Sequence, residues 1–445
     1  MTYILKTLFL LAMVSFGVFA QSLDDYVSLG LESNLALKQK HYNYLLAKEK
    51  ISDAKGMYLP SVDINARYTE TSGSVLDLGK LINPVYSTLN TMLGSSVFPA
   101  SLDLKLPLKQ ETTIRLSQPL FQPGIYYNDR INQSQAEMAN YTRLTYARDL
   151  VMEIKTAYYN YKKATEAVSL YSSVEELLKE NLRLNNSLFT NGKVTKDKVY
   201  RSEAELSELQ QQLLGATNQK TSAARYFNFL LNREQDAEIN VSVTNTESFQ
   251  NPKSVAQIDN REEVRQLREA KTIVNDLGSL SRSSFLPTLS LAIDYGFQGN
   301  SYKFNQDEDY AAVSLVASWN LFNGFRDQSK IEQAEIQIKQ LESAEKELSG
   351  ALRMKVANAL DNFNHYVKRY DASKEQERAA SAGYEIVEKK YREGNAALIE
   401  YIDARTTLTS ASISKILAKY DVFIAQAQLE RETAGYEFTI DFLKK

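Results

Sequence analysis

His41 and His365 are the only two histidines in 445 residues, and there is no cysteine. Histidine ordinarily carries proton transfer near neutral pH and metal binding, while cysteine supplies thiolate nucleophiles, disulfides and sulfur ligands. The two histidines stand in different halves of the chain with no second ligand at metal spacing, so both read as ordinary helical residues. No G-x-S-x-G, P-loop or H-E-x-x-H pattern occurs. The 27 tyrosines remain, but clusters such as Tyr158, Tyr159 and Tyr161 lie on or beside a helical stripe, where they pack. The carboxylates sit in helical charge patterns. The chain therefore reads as a non-enzyme with no cofactor or metal, and a formal net charge of -3 without a basic block argues against nucleic acid as a partner.

The elements that would position any site come in duplicate. YLPSVDINARY from Tyr58 returns as FLPTLSLAIDY from Phe285, and LFTNGKVTKDKVYRSEAEL from Leu188 returns as KYREGNAALIEYIDARTTL from Lys390. A repeat of about 200 residues is a duplicated fold and not a solenoid unit. With only 8 Pro and 17 Gly in the chain, long uninterrupted elements are expected. From about Tyr126 to Phe189, Ala147, Val151, Ile154, Tyr158, Tyr161, Thr165 and Val168 form a heptad seam. Leu150, Ile154, Ala157, Tyr161, Ala164 and Val168 form a second one, so this helix packs on both sides. At about 1.5 Å per residue it would be on the order of 95 Å long. The second copy runs from Arg326 to about Arg392. Each long helix ends at a glycine, Gly192 or Gly394, where the chain must reverse with positive φ; these are the predicted tips of two long hairpins.

Strands lie at the other ends. Val62, Ile64 and Tyr68 alternate with Asp63, Asn65 and Arg67. Ile114 and Leu116 alternate with Arg115 and Ser117, Leu289 through Phe297 with Ser290 through Gly296, and Val313, Leu315 and Trp319 with Ser314 and Ser318. This is the weak signature of membrane β-strands with one lipid-facing side, the alternative being the edge of a soluble sandwich. Four strands cannot close a barrel, and an open edge in lipid leaves backbone groups unpaired, so several chains must associate if the strands are in a membrane. Pro60 and Phe121 are 61 residues apart and Pro287 and Phe322 only 35. The excess lies in a connection from about Glu70 to Gln110 containing Leu76, Leu78, Leu81, Ile82, Leu93, Val97 and Phe98. It reads either as an external lid or, by preference, as a surface loop that buries its own apolar side chains.

MTYILKTLFLLAMVSFGVFA at the start fits a cleaved secretory signal, with Gln21 as the mature start. The resulting division is a signal peptide over 1–20, a first repeat over 21–231, an inter-repeat linker over 232–260, a second repeat over 261–438 and a tail over 439–445.

SLGLESNLALKQ before the first helix, YLPS and FLPT opening a strand in each copy, LSQPLFQPG and ASWNLFNGF closing the next, NREEVRQLREA opening the second repeat, and the two tips occur in one duplicated order. Over nearly the whole mature chain this order resembles the TolC-like outer-membrane efflux family of Gram-negative bacteria. The resemblance implies a mainly α fold with membrane β-strands: a homotrimer with a 12-stranded β-barrel in outer-membrane lipid and an α-barrel tunnel of long hairpins in the periplasm. It implies an exit duct for efflux or type I secretion, working with a periplasmic adaptor and an inner-membrane pump. Glu400 and Asp403 resemble the family's acidic entrance residues, and their i, i+3 spacing puts both on one helix face. Like charges about 8 Å apart at an effective dielectric near 20 repel by roughly 2 kcal/mol, so such a ring recruits cations or shares protons. The first repeat departs from this, with Lys198 and Arg201 at the pseudo-equivalent positions; they either clamp the acidic ring or face outwards. Tyr391 matches a tyrosine that ties the closed tip in relatives, while the matching arginine position holds Ala396. The competing reading is a periplasmic coiled-coil adaptor or structural protein without pore activity.

Overall fold

The computed structural model describes residues 22–70, 76–102, 105–106, 108–240, 249, 258–299, 304, 308–439 and 442. The expected signal peptide and Gln21 lie outside the described residues, as do Pro252 and most of the stretch after Asn240 that separates the repeats. The element order is α1 (Leu23–Ser33), α2 (Leu35–Gly56), β1 (Ser61–Tyr68), β2 (Leu76–Asp77), α3 (Leu78–Leu93), β3 (Lys105–Leu106), β4 (Gln110–Phe121), α4 (Pro123–Thr190), α5 (Lys196–Leu230), α6 (Glu262–Ser283), β5 (Thr288–Gly299), β6 (Asp309–Ser318), α7 (Arg326–Arg392) and α8 (Leu398–Glu432). Two compact units are present, and they are cut differently from the two repeats. The helical unit comprises the described residues of Met1–Tyr42, Tyr141–Arg265 and Lys346–Lys445, and the strand-bearing unit comprises those of Asn43–Asn140 and Gln266–Glu345.

In the helical unit the long elements follow from the scarcity of breakers. α4 runs for 68 residues, opening on Pro123, whose missing N–H costs nothing at the first helical position. α7 runs for 67 residues. The predicted stripe of α4 is the core: Ala147, Leu150, Val151, Ile154, Ala157 and Tyr158 are buried together with Tyr26, Val27, Phe227, Leu230 and Leu231. A second cluster joins Phe363 and Tyr370 of α7 to Ala418, Val422, Ala425 and Leu429 of α8. α1 packs so closely that a Cβ at Gly30 would lie 2.3 Å from Cδ1 of Ile154. Asn34 separates α1 from α2: its N–H bonds the Gly30 carbonyl, its Oδ1 accepts from the Leu37 N–H at 3.0 Å, and its amide donates to the Leu230 carbonyl at 2.9 Å. One side chain thus starts α2 and anchors it to the end of α5.

Near the opening of α6 the helical unit buries an ionic network. Arg261, 1% exposed in its side chain, meets Glu263 at 2.6 Å and Glu432 at 3.3 Å. Arg431 meets Asp149 at 2.5 Å and Glu263 at 3.0 Å, and Arg148 meets Glu262 at 2.7 Å. Each guanidinium finds two or more acceptors, the condition under which a buried charge is tolerated.

In the strand-bearing unit β1, β4, β5 and β6 form one antiparallel sheet in the order β1-β4-β5-β6, and β2 pairs with β3 in a short ladder. The register is continuous: Val62 faces Leu116, Leu116 faces Ile293, and Ile293 faces Val313. Because strand side chains alternate, this alignment carries every apolar row to one face. The expectation that the connection before Gln110 buries its own apolar side chains holds only in part. Tyr86 stacks on Phe98 at 5.4 Å, but α3 is an amphipathic helix whose Leu81, Val85, Met92 and Leu93, like Leu76 and Val97 nearby, are exposed. No described helix is long and apolar enough to cross a membrane.

Candidate functional site

Two places carry the chemistry predicted from the sequence: the hairpin tips, in the helical unit, and the sheet, in the strand-bearing unit. At the first tip Gly192 has φ +68, and at the second Gly394 has φ +76. Both end their helix with the same pair of hydrogen bonds. Gly192 N–H reaches the Phe189 carbonyl at 2.9 Å and Lys193 N–H the Leu188 carbonyl at 2.8 Å; Gly394 N–H reaches Tyr391 at 3.0 Å and Asn395 N–H reaches Lys390 at 2.8 Å. This is the Schellman closure, which needs a left-handed residue one place past the cap and therefore favours glycine.

Beyond the tips the two hairpins differ. The first joins its helices through amides: Asn185, fully buried, donates to Asn181 at 2.6 Å and to the Ser202 hydroxyl at 2.9 Å. The second uses aromatic rings, Tyr391 stacking on Tyr401 at 4.7 Å and the Tyr384 hydroxyl lying 3.3 Å from that of Tyr401. Burial raises Tyr391 above the ordinary tyrosine range, the neighbouring Tyr401 adding to it.

Glu400 and Asp403 are exposed at the start of α8, Arg201 is exposed and Lys198 half-buried at the start of α5. Among the described residues none of the four makes an ion pair, so a clamp of the basic pair on the acidic pair is not formed within the chain. A charge contact between hairpins lies one turn further on. Arg405 of α8, buried, donates to Glu205 of α5 at 2.6 Å and sits 5.7 Å from the Tyr401 ring. Sequence reasoning passed over this pair. The signal was available on one side only: Leu398, Tyr401, Arg405 and Leu408 step by 3, 4 and 3, placing a charge in a seam position.

The sheet separates its chemistry by face. Val62, Ile64, Val313 and Leu315 are 65% to 73% exposed, an apolar surface turned to the outside of the unit. The other face bears the rows Asp63–Arg115–Asp294 and Arg67–Glu111–Gln298. Arg115 grips Asp294 with two nitrogens at 2.7 Å and 3.0 Å, and Arg67 meets Glu111 at 2.7 Å. In the next row Gly296 lies between Thr113 and Tyr310, and their hydroxyls meet across it at 2.9 Å. A Cβ at Gly296 would be 2.4 Å from the Thr112 carbonyl oxygen. An apolar face exposed over four strands opposite a charged one is unstable in water on both edges and suited to a lipid boundary.

Residues 258–435 match the family described as outer membrane efflux protein. The chain is 22% identical over 421 residues to outer membrane protein TolC of Escherichia coli, covering 89% of this chain and 79% of that protein. Over most of its length the chain is similar to the TolC-like outer membrane efflux proteins. The chain is also 22% identical over 331 residues to the alkaline protease secretion protein AprF of Pseudomonas aeruginosa, covering 72% of this chain and 68% of that one. Its fold is that of the Campylobacter jejuni CmeC outer membrane channel, with a TM-score of 0.76 at 19% identity, covering 93% of this chain and 85% of the channel. Glu400, Asp403, Tyr391 and Arg405 fall within the family match. Lys198, Arg201 and Glu205 fall in the first repeat, outside it.

Proposed function

We propose that three copies of this chain form an outer-membrane channel, the exit duct through which an inner-membrane pump and a periplasmic adaptor export their substrate. The observation that carries this is the four-stranded sheet, apolar and exposed on one face, charged on the other, with β1 and β6 as unpaired edges. Such a sheet satisfies its edges in lipid only by closing with other copies, and twelve strands from three chains make a barrel with the charged rows inside. The long hairpins α4–α5 and α7–α8 supply a helical tunnel in the periplasm, with the tips at Gly192 and Gly394 as its entrance and the surface presented to the adaptor.

Glu400 and Asp403, exposed and without an ion pair among the described residues, supply two acidic rings at that entrance. Six carboxylates around one axis favour cations and their multivalent block. Tyr391 on Tyr401 and Arg405 on Glu205 tie the second hairpin to itself and to the first, while Lys198 and Arg201 are free to meet the acidic rings of a neighbouring copy.

The test is planar-bilayer conductance of the purified full chain. Discrete steps preferring cations, with the preference reduced in Glu400→Gln/Asp403→Asn, support the reading. Stable insertion with unchanged selectivity in that variant removes the two carboxylates from the path, and failure to insert removes the channel.

A further inference from the structure

α3 is a folded insertion with one face committed and the other bare. Asn83 and Asn90, two turns apart, each pair with a backbone segment that follows the helix. Asn83 exchanges hydrogen bonds with the amide and carbonyl of Leu102 at 2.8 Å and 2.9 Å, and Asn90 with those of Phe98 at 2.8 Å and 2.7 Å. The Leu102 carbonyl comes so near that a Cβ at Gly79 would be 2.0 Å from it. Gly94, with φ +63, closes the helix. The opposite face carries Leu81, Val85 and Met92, which are 63%, 55% and 79% exposed. Their steps of 4 and 7 residues are those of a helix-packing seam.

The place of α3 in the chain narrows what covers this seam. It lies between β1 and β4, at the strand ends Tyr68 and Gln110, opposite to the ends that lead into helices α2 and α4. β1 is an edge strand, so in the three-copy reading, on which this inference rests, each α3 hangs from the rim where two copies join. Twelve strands about 4.8 Å apart and tilted by about 40° enclose a barrel of roughly 12 Å radius. α3 has 16 residues and is about 24 Å long, so three such helices on one rim either meet over the mouth or lie outward on the membrane.

The side chains decide between the two. A helix that rests on a lipid surface presents lysines and arginines on its polar flank, whereas α3 holds a single charge, Lys80, and Asn83 and Asn90 on its polar face are bonded to its own chain. A seam free of charge can meet identical copies of itself without repulsion. We propose that the α3 helices of three copies pack Leu81, Val85 and Met92 against one another and cover the outer mouth of the channel.

The absence of native cysteine makes the test direct. Full-length Val85→Cys and Ser87→Cys proteins are placed in membranes and oxidised, and their assembly mass is measured in parallel. Three-copy assemblies in which the Val85→Cys protein cross-links between copies about tenfold faster than the Ser87→Cys protein, the ratio given by a facial preference of about 1.4 kcal/mol, support the proposal. A rise in single-channel conductance in Val85→Lys supports it further. Three-copy assemblies with equal or absent cross-linking overturn it and leave the channel reading intact. Quenching by lipid-borne nitroxide of a label on the thiol of the Val85→Cys protein also overturns it and identifies the membrane surface as the occupant instead. An assembly of any other size overturns both.

Discussion

Arg405 and Glu205 stand 200 residues apart in sequence and 2.6 Å apart in space, one on each hairpin. Their side chains are 6% and 16% exposed, and each keeps one buried polar atom without a partner, Nη1 on Arg405 and Oε2 on Glu205. A half-satisfied buried pair holds two helices in register at little net gain in stability, and removing one partner strands the other charge.

Arg405→Ala should therefore destabilise the helical unit by about 3 kcal/mol and raise the open probability of the channel, read as melting temperature and as bilayer conductance. Arg405→Met combined with Glu205→Leu should restore most of the melting temperature, since an apolar pair fills the same space, while the raised open probability stays. If the double variant recovers a closed channel together with its stability, the pair is packing and not a tie.

Gly296 makes a second test. Tyr310 spans it to reach Thr113, and a Cβ there would meet backbone atoms of the neighbouring strand at 2.4 Å and 2.9 Å. Backbone in mid-sheet cannot step aside as a side-chain end can, so Gly296→Val should lower the yield of heat-resistant assemblies sharply, with the helical signal by circular dichroism retained. Gly215→Ala, where nothing lies near the added carbon, should change neither and serves as the control.

The long helices and both reversals were legible because so few residues in this chain can interrupt a helix: α4 and α7 end where the first left-handed glycines stand. The sheet was legible because period-two alternation fixes faces, and four alternating runs leave one register that keeps the apolar rows together. α3 was not. Pro84 lies inside it, and a proline in a helix interior ordinarily costs about 3 kcal/mol, so pattern reasoning stops a helix at Asn83. The structure continues through it, held by Asn83 and Asn90 to the segment beyond. Arg405 and Glu205 escaped for a different reason. Periodicity identifies a face of one helix and says nothing of which helix covers it, so a charge in a seam is visible while its partner is not.

The end of α8 offers a gain in stability. Ala434 has φ 54 and closes the helix with the same bond pattern as the tips, its own N–H to Arg431 at 3.2 Å and that of Gly435 to Glu430 at 2.8 Å. A side chain in that conformation costs roughly 1–2 kcal/mol, partly offset by the greater freedom a glycine loses on folding. Ala434→Gly should raise stability by about 0.5–1 kcal/mol, measured as a higher melting temperature. The carbonyl of residue 434, which accepts from Arg148 at 3.2 Å, is kept. A melting temperature that falls would mean the Cβ makes contacts that outweigh the strain.

The ionic network around Arg261 sets an acid limit. Burial by itself raises Glu263, but the hydrogen bond and charge of Arg261, its own backbone N–H and the charge of Arg431 together hold it down, from the ordinary 4.5 to about 2. A carboxylate depressed in the folded state contributes stability that is fully present above its unfolded pKa and is lost as pH falls through the folded one. The window is therefore pH 4.5 down to about 2, and the contribution reaches at most about 3 kcal/mol. In Glu263→Gln the melting temperature at pH 7 should be lower than in the unaltered protein, and the difference should shrink steadily below pH 4.5 as Glu263 itself takes up a proton. Because other carboxylates titrate in the same range, only this difference isolates Glu263. Two melting curves that stay parallel from pH 7 to pH 2.5 would show that the side chain acts through shape and not through its charge.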